Sequence, residues 1–291
     1  YEEYTASQLD AHDRYLPENS ILYKSGDLER PVVDEWAYTL TDRLRQTYPD
    51  LPRPRRKFAF LPTVDIDNAY AFRGKGRLRT TAAVIRDVLS GNAYFARKRL
   101  RVRMGREHDP YDNYARIEKI HEEYGFKPVY FVQVSKYGGY DKNISPRSKL
   151  FRKLIRELEA TCLTGLHPGY ATADEPGRVL KEKQRLETIL QSPVFVSRQH
   201  YLRFSLPHTF RALLDAGIEA DFSMGYPGRP GFRAGTATPF RFYDLQADRC
   251  TGLWLFPLHV MDASLKYYYK LRAEDAWPQV EKAMQAVKAI D

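Results

Sequence analysis

Cysteine is scarce in this sequence, and long apolar runs are missing from it. The chain has 291 residues and two cysteines, Cys162 and Cys250, too few for a disulfide scaffold or for a zinc site built from four cysteines. No apolar stretch approaches the ~20 residues that a membrane-spanning helix needs, so we predict no transmembrane segment. The motifs G-x-S-x-G and H-E-x-x-H are also absent, which argues against a serine hydrolase with a nucleophile elbow and against a zincin-type protease.

Charge is plentiful and biased towards basic residues. The chain carries 46 Lys and Arg against 37 Asp and Glu, a net charge of +9, and 43% of it is hydrophobic. A large core is therefore possible, and global disorder is excluded. The basic residues concentrate at 53–57 (RPRRK) and 97–106 (RKRLRVRMGR). No nucleic-acid-binding motif accompanies these runs, so we interpret them as solvated faces and expect no nucleic-acid partner.

The first 55 residues differ in character from the rest. They are polar and irregular, with one helical pattern at 33–48, where Val33, Trp36, Leu40 and Leu44 recur at helical spacing and predict a face packed on a neighbour. A Pro-rich linker follows at 49–56. The chain begins with Tyr rather than Met and shows no signal peptide. We therefore expect a fragment of a longer, cytoplasmic protein, with 1–55 as the remnant of an N-terminal domain and 56–291 as the main domain.

After residue 56, short apolar runs alternate with helical patterns. Seven strands are predicted, at 57–67, 128–135, 161–167, 193–200, 218–223, 240–245 and 253–262. Helices are predicted at 77–103, 112–125, 146–160, 175–191, 205–216 and 274–290. This alternation favours an α/β fold of parallel β/α units, most simply a barrel. The alternative, a doubly wound open sheet, predicts a Gly-rich phosphate turn after the first strand, and residues 73–76 (RGKG) do not provide one.

Polar residues gather where the predicted strands end, which is where β/α barrels carry their chemistry. Asp65 and Asp67 end the first strand, His167 the third, residues 198–200 (RQH) the fourth, and His259 the last. Taken singly, each Asp could cap a helix and each His could be a core residue. Two carboxylates in one pocket repel each other unless a cation intervenes. Together with two histidines they predict a divalent metal site suited to hydrolysis.

Four segments carry a family resemblance. The segments are TVDID (63–67), GLHPGY (165–170), SRQHYLRFS (197–205) and LFPLHVMD (255–262). They resemble the motifs of the polysaccharide deacetylase superfamily, also called the NodB-homology superfamily, which includes carbohydrate esterase family four. The stretch 217–240 is similar to a bacterial subgroup of that superfamily in which an extra N-terminal domain precedes the barrel, and residues 1–55 resemble the end of that domain.

The resemblance implies a distorted (β/α)7 barrel that removes acetyl groups from N-acetylated sugars with the help of a divalent metal, which we expect to be zinc. It implies that Asp65 is the catalytic base, that Asp67 and His167 bind the metal, that Arg198 orients the base and that His259 protonates the leaving amine. A carbohydrate is the expected partner. The sequence gives no indication of the oligomeric state.

One position departs from the family pattern. The second motif usually has two histidines four residues apart, but Ala171 stands four residues after His167. We expect His200, at the end of the next strand, to supply the missing metal ligand. Arg233 is a candidate substrate contact, or else part of a loop salt bridge. Asp262 could bind substrate, orient His259 or cap the next segment. The alternative functions are a catalytically impaired glycan-binding protein and a metal-dependent amidohydrolase that acts on a small amide.

Overall fold

A computed structural model of the chain describes residues 2–5, 8–52 and 56–290. Its seven strands are β1 (Thr63–Ile66), β2 (Val129–Val132), β3 (Leu163–Leu166), β4 (Val196–Ser197), β5 (Ala220–Met224), β6 (Phe240–Asp244) and β7 (Arg249–Pro257). They form one sheet in the order β1-β2-β3-β4-β5-β7-β6. All seven predicted strands are present, and the predicted α/β class is confirmed.

The helices also follow the predicted pattern. They are α1 (Glu2–Thr5), α2 (Ile21–Ser25), α3 (Val32–Thr47), α4 (Arg77–Leu89), α5 (Ala93–Arg103), α6 (Tyr114–Glu123), α7 (Lys149–Glu159), α8 (Arg178–Leu190), α9 (His208–Asp215) and α10 (Ala273–Lys288). The predicted helix at 77–103 is divided into α4 and α5. Gly91 has a φ of +72° at the break, a left-handed conformation that glycine adopts at helix ends without steric cost.

One strand departs from the predicted parallel arrangement. The pairs β1–β2, β2–β3, β4–β5 and β5–β7 are parallel, but β6 runs antiparallel to β7. Only residues 245–248 connect β6 to β7, and so short a connection cannot hold the crossover that parallel neighbours require. Asp244 stabilises this turn, because its Oδ1 atom accepts hydrogen bonds from the backbone N–H groups of Gln246 and Ala247. The prediction of a seventh parallel unit was therefore wrong.

The chain forms two compact units. The first, which we call the β1–β3 unit, consists of residues 61–170 and 180–194. Its core is built on β2, whose four residues are all buried, as expected for a strand covered on both faces. Helix α7 adds a buried stripe of Phe151, Leu154, Ile155 and Leu158 at helical spacing. This packing fixes the carboxyl ends of the strands that carry the predicted site residues.

The second, which we call the β4–β7 unit, consists of residues 1–60, 171–179 and 195–291. Phe210 on α9 is fully buried; its ring stacks on Phe204 and meets Phe242 of β6 edge-on. Asp34, at the start of α3, is buried as well. Its carboxylate accepts hydrogen bonds from the Thr236 and Thr238 hydroxyls and from the Ala237 N–H. N-terminal residues are therefore part of this unit.

The apolar face predicted for α3 is largely exposed in the described structure. Val33, Trp36, Leu40 and Leu44 are 46%, 68%, 59% and 42% exposed. The helix forms where its periodicity predicts it, but its buried residues are Val32 and Asp34. The predicted packing of this face was therefore wrong within the part of the chain that the structure describes.

The proposed division at residue 55 stays a prediction. Part of the Pro-rich linker and of the basic run at 53–57, namely residues 53–55, lies outside the described residues. A search of the helices within the described ranges finds none with the length and hydropathy of a membrane span.

Candidate active site

The two aspartates of the first motif lie at the carboxyl end of β1. Asp65 is within the strand and pairs in register with Phe131 of β2, while Asp67 follows directly after it. Ile66 between them is buried, Asp65 is half-buried and Asp67 is exposed. Because successive side chains of a strand point to opposite faces, the two carboxylates share one side of β1 and Ile66 packs into the core on the other.

His167 brings a second motif to the same edge of the β1–β3 unit. It follows β3, and its backbone N–H donates to the carbonyl oxygen of Val132, which extends the parallel ladder beyond the strand. Its Nε2 atom lies 3.1 Å from Asp67 Oδ1, with the His167 side chain 3% exposed and the Asp67 side chain 53% exposed. The predicted juxtaposition of Asp67 and His167 is thus present: a buried imidazole faces a carboxylate that is open to solvent.

Buried carboxylates hold the loop that carries His167. Asp141 Oδ1 accepts hydrogen bonds from the Tyr170 N–H and from Gln133 Nε2, and Glu182 Oε2 accepts one from the Gly169 N–H. Gly169 packs closely against these groups. A Cβ atom at that position would overlap Ser135 and lie 2.8 Å from Asp141 Oδ2. The backbone approach that positions His167 therefore requires glycine.

The Asp109 carboxylate holds the loop that follows Asp67 in the same way, by accepting hydrogen bonds from its backbone. It is buried, and its carboxylate accepts hydrogen bonds of 2.8–3.0 Å from the backbone N–H groups of Ala71, Phe72, Arg73 and Tyr111. Burial alone would raise the pKa of Asp109, but these hydrogen bonds outweigh it, so the pKa lies below its usual value. Asp109, Asp141 and Glu182 were not found from the sequence, since they belong to no motif.

Arg198 and His200 belong to the β4–β7 unit. Both are buried, directly after β4. Arg198 Nε donates to the carbonyl oxygen of Phe222 at 3.1 Å, and His200 begins a 3₁₀ turn (His200–Leu202). In that turn Tyr201 has a φ of 62°, a strained conformation for a residue other than glycine, and its ring meets the His200 ring edge-on at 4.6 Å.

A fully buried carboxylate organises the end of β4. Asp221 on β5 accepts hydrogen bonds from the Ser197 hydroxyl at 2.7 Å and from the Ser223 N–H at 2.9 Å. Burial raises the pKa of Asp221, against the lowering effect of these hydrogen bonds and of the Arg198 charge. The Ser223 hydroxyl in turn accepts from the Gln199 N–H. These contacts fix the backbone on both sides of Arg198.

His259 lies just after β7 and is positioned by the loop at 231–236. The Gly231 N–H donates to its carbonyl oxygen, and Phe232 packs on its ring at 4.5 Å. Its ring is also hydrogen-bonded to the Thr236 backbone. Burial lowers the pKa of His259 to about 4, although the Thr236 contact and the Asp34 charge act in the opposite direction. Its Nε2 atom is buried and has no hydrogen-bond partner among the described residues.

The two candidate substrate contacts have partners within the same unit. Arg233 donates through Nε and Nη2 to the two carboxylate oxygens of Glu3 and through Nη1 to the carbonyl oxygen of Gly225, and its side chain is 1% exposed. Asp262 is exposed and accepts a hydrogen bond from the Ala263 N–H at the start of the next turn. These are the contacts expected of a salt bridge and of a cap. A role of either residue in substrate binding stays a prediction.

Comparisons with known proteins give one family match and several structural matches. Residues 1–49 match the model of a family of unknown function, DUF7033. No curated protein matches the chain.

Three solved structures are similar to the chain. A Mycobacterium smegmatis protein assigned to the polysaccharide deacetylases is 14% identical, with a TM-score of 0.41 over 71% of this chain and 63% of that protein. IcaB from Ammonifex degensii is 16% identical, with a TM-score of 0.35 over 60% of this chain and 68% of that one. The polysaccharide deacetylase Bc1974 from Bacillus cereus is 13% identical, with a TM-score of 0.31 over 60% and 81%.

The chain spans less than two thirds of the Mycobacterium smegmatis protein. Two of the three proteins are described as polysaccharide deacetylases, the family that the sequence motifs resemble. At these identities and TM-scores, the likeness alone supports no conclusion about activity.

Proposed function

We propose that this chain is a metal-dependent hydrolase of the polysaccharide deacetylase type, which removes acetyl groups from N-acetylated sugars of a bacterial polysaccharide or glycolipid. The observation that carries the proposal is the contact of 3.1 Å between Asp67 Oδ1 and His167 Nε2. It pairs the residues that the first and second motifs assign to the metal.

The donor set fits a divalent cation. A carboxylate oxygen and an imidazole nitrogen are common zinc ligands. The His167 ring is buried and its loop is held by Asp141 and Glu182, so the ring is fixed before any ion binds. Asp67 is open to solvent, which leaves a path for an ion and a substrate. These features support a metal site at the end of β1.

We assign the third ligand to His200. His200 is a buried imidazole directly after β4, and in this proposal it completes the ligand set with Asp67 and His167. Three protein ligands of the Asp and His type leave one coordination position of a zinc ion open for water or substrate. In this proposal His200 takes the place of the histidine that the family usually has where Ala171 stands. Zinc is the cation that we expect.

The remaining residues then have defined tasks. The bound cation would polarise the acetyl carbonyl group and lower the pKa of the attacking water. Asp65, on the same side of β1 as Asp67, accepts the proton of that water. Arg198 orients the Asp65 carboxylate, which is the task that the family resemblance assigns to it. Its own orientation is set by the hydrogen bond to Phe222 and by the Asp221 network.

His259 donates a proton to the departing amine. Since its pKa is about 4, the imidazole is neutral at pH 7 before substrate binds, and its Nε2 atom has no partner among the described residues. Negative charge that develops in the reaction raises the pKa of a neighbouring imidazole. On this basis His259 does not carry this proton in the resting enzyme; it takes one up from solvent as negative charge develops and passes it to the departing amine.

The test is a calorimetric titration of zinc into chelator-stripped protein. We expect binding at one site with a Kd in the micromolar range or below, and we expect Asp67→Asn and His167→Gln to abolish it. Asp50→Asn is the matched control, because Asp50 is an exposed carboxylate outside all four motifs. Acetate release from N-acetylglucosamine oligomers by the zinc-loaded protein then tests the reaction itself. Zinc binding that survives both substitutions would refute the proposed site.

A second function is favoured by Ala171. If zinc does not bind, the chain is better described as a glycan-binding relative that has lost its catalytic metal. Binding of the same oligomers without acetate release would support that function. Release of carboxylate from a small cyclic amide, with no release from sugars, would favour an amidohydrolase.

A further inference from the structure

The β1–β3 unit contains a cavity of about 610 Å³ with a strongly positive lining. The loop after β1, the start of α4, the loop after β2 and the helices α7 and α8 form its walls. Six of its lining residues are cationic: Lys75, Arg79, Lys136, Arg147, Arg152 and Arg185. No Asp or Glu lines it among the residues that the structure describes. Neither Asp67 nor His167 lines it.

These six cations have no carboxylate partners in the described ranges. Their neighbours do: Arg73 is paired with Asp112 at 2.7 Å, and Arg99 with Asp87 at 2.8 Å. Burial and the nearby charges of Arg79 and Arg99 lower the pKa of Lys75 to about 8, with Asp109 acting in the opposite direction. Like charges without counter-charges repel one another, which is unfavourable. An anion bound in the cavity would reduce this repulsion.

Two of the guanidinium groups are held in place before any ligand binds. Arg79 donates to the carbonyl oxygens of Asn143 and Lys142 and lies over the Tyr137 ring at 4.1 Å. Arg185 donates to the carbonyl oxygen of Val134 at 2.5 Å. Each uses only some of its N–H donors in these contacts. Fixed guanidinium groups bind oxyanions well because little side-chain entropy is lost on binding.

A second observation points to a ligand with hydroxyl groups. Ser135 and Asn143 also line the cavity, and each is 2% exposed. Asn143 Nδ2 donates to the Ser135 carbonyl oxygen, but Asn143 Oδ1 and Ser135 Oγ are buried and have no hydrogen-bond partner among the described atoms. Buried polar atoms are nearly always satisfied in native structures. Asn143 Oδ1 can only accept, so a ligand group that reaches it must be a donor such as a hydroxyl group.

We propose that this cavity is a binding site for a phosphorylated sugar. The arginine and lysine side chains hold the phosphate oxygens, and Asn143 Oδ1 accepts a hydrogen bond from a sugar hydroxyl group. A phosphate group carries more charge and more acceptor oxygens than a carboxylate, which suits six cations. The volume lies within the range of small-molecule sites. This inference does not depend on the proposed deacetylase activity.

The experiment measures binding of glucose 1-phosphate to the purified chain by calorimetry at fixed ionic strength. We expect a Kd of about 1 mM or below and a loss of about tenfold in affinity for Arg152→Gln, because one charge-assisted contact is removed. The Arg152 guanidinium makes no hydrogen bond within the described structure, so this variant should keep its melting temperature. Lys136→Gln, at an exposed position, is the second variant. Arg97→Gln, an exposed arginine of α5 outside the cavity, is the matched control and should bind as the unmodified chain does.

Three comparison ligands separate the parts of the proposal. Inorganic phosphate should bind more weakly than glucose 1-phosphate, and equal affinity would refute the sugar contact. Glucuronate should also bind more weakly, and equal affinity would refute the preference for phosphate. The site would be refuted if glucose 1-phosphate did not bind at all. It would also be refuted if the control Arg97→Gln weakened binding as much as Arg152→Gln and Lys136→Gln do. Zinc has no part in this experiment, so its outcome is independent of the metal site.

Discussion

Asp67 Oδ1 and His167 Nε2 lie 3.1 Å apart, although the two residues follow different strands. The parallel register of β1, β2 and β3 brings their carboxyl ends to one edge. A motif of two aspartates and a motif with one histidine, far apart in the sequence, therefore meet because parallel strands end together. Asp65, two residues before Asp67, shares this edge and is assigned a different task.

The first prediction separates the tasks of Asp65 and Asp67. We expect Asp67→Asn to abolish zinc binding and activity together, because it removes a proposed ligand. Asp65→Asn should leave zinc affinity within about threefold and reduce kcat by roughly 10² to 10⁴, the range for loss of a general base. Zinc calorimetry and acetate release on the same preparations test this. An Asp65→Asn variant that loses zinc as completely as Asp67→Asn would show that both carboxylates are ligands.

The second prediction concerns Gly169, two residues after His167. Gly169→Ala places a Cβ atom against Ser135 and 2.8 Å from Asp141 Oδ2, so the loop must move. We expect a loss of roughly 1–3 kcal/mol in the free energy of unfolding and weaker zinc binding, because the loop positions the His167 ring.

Denaturant unfolding and zinc calorimetry measure the two effects. Gly138→Ala, in a neighbouring loop, is the matched control, since a Cβ atom there would meet nothing closer than 3.9 Å. If Gly169→Ala and Gly138→Ala have the same free energy of unfolding and the same zinc affinity, the role assigned to Gly169 is contradicted.

The third prediction follows from the pKa of His259. In the unfolded chain this imidazole has an ordinary pKa of 6.5, whereas in the folded chain the pKa is about 4. Between these values the unfolded state binds a proton that the folded state does not, so stability falls as the pH is lowered. We expect His259 to account for a loss of about 3 kcal/mol between pH 7 and pH 4.

Urea unfolding of the unmodified chain and of His259→Gln at both pH values isolates this contribution. The unmodified chain should lose about 3 kcal/mol more than the variant on acidification. Equal losses would show that His259 is not held in its neutral form by burial.

The strands and the contact between Asp67 and His167 could be predicted from the sequence, because both depend on local patterns. Apolar runs between helical patterns mark β1 to β7, and Asp67 and His167 stand where such runs end. The antiparallel direction of β6 depends on the short turn at 245–248, which has no distinctive glycine or proline. The exposed face of α3 could not be predicted either, since periodicity indicates a face but not whether anything covers it.

The residues that support the site were missed for a different reason. Asp109, Asp141 and Glu182 act as acceptors for backbone N–H groups, a role that any buried Asp or Glu could fill and that leaves no spacing pattern. The cationic cavity was missed similarly. Its side chains are spread over positions 75–185, and the two basic runs that stand out in the sequence contribute none of them.

The last prediction tests whether Arg233 is structural. Its guanidinium is buried and paired with Glu3 through two hydrogen bonds. Removing one partner of a buried pair leaves an uncompensated charge, so Glu3→Gln should cost about 3 kcal/mol of stability. Glu29→Gln is the matched control, because Glu29 is paired with Lys282 at the surface and such pairs contribute at most about 1 kcal/mol.

Urea unfolding measures both variants, and steady-state kinetics on N-acetylglucosamine oligomers measures the effect of Arg233→Lys. If Arg233 serves only to join Glu3 to the loop at 225–233, we expect Arg233→Lys to lower the free energy of unfolding and to leave KM unchanged. The stability falls because lysine cannot reproduce the two parallel hydrogen bonds. A rise in KM without a loss of stability would instead assign Arg233 to substrate binding. The two outcomes differ because a buried ion pair acts on the folding equilibrium, whereas a substrate contact acts only once substrate is bound.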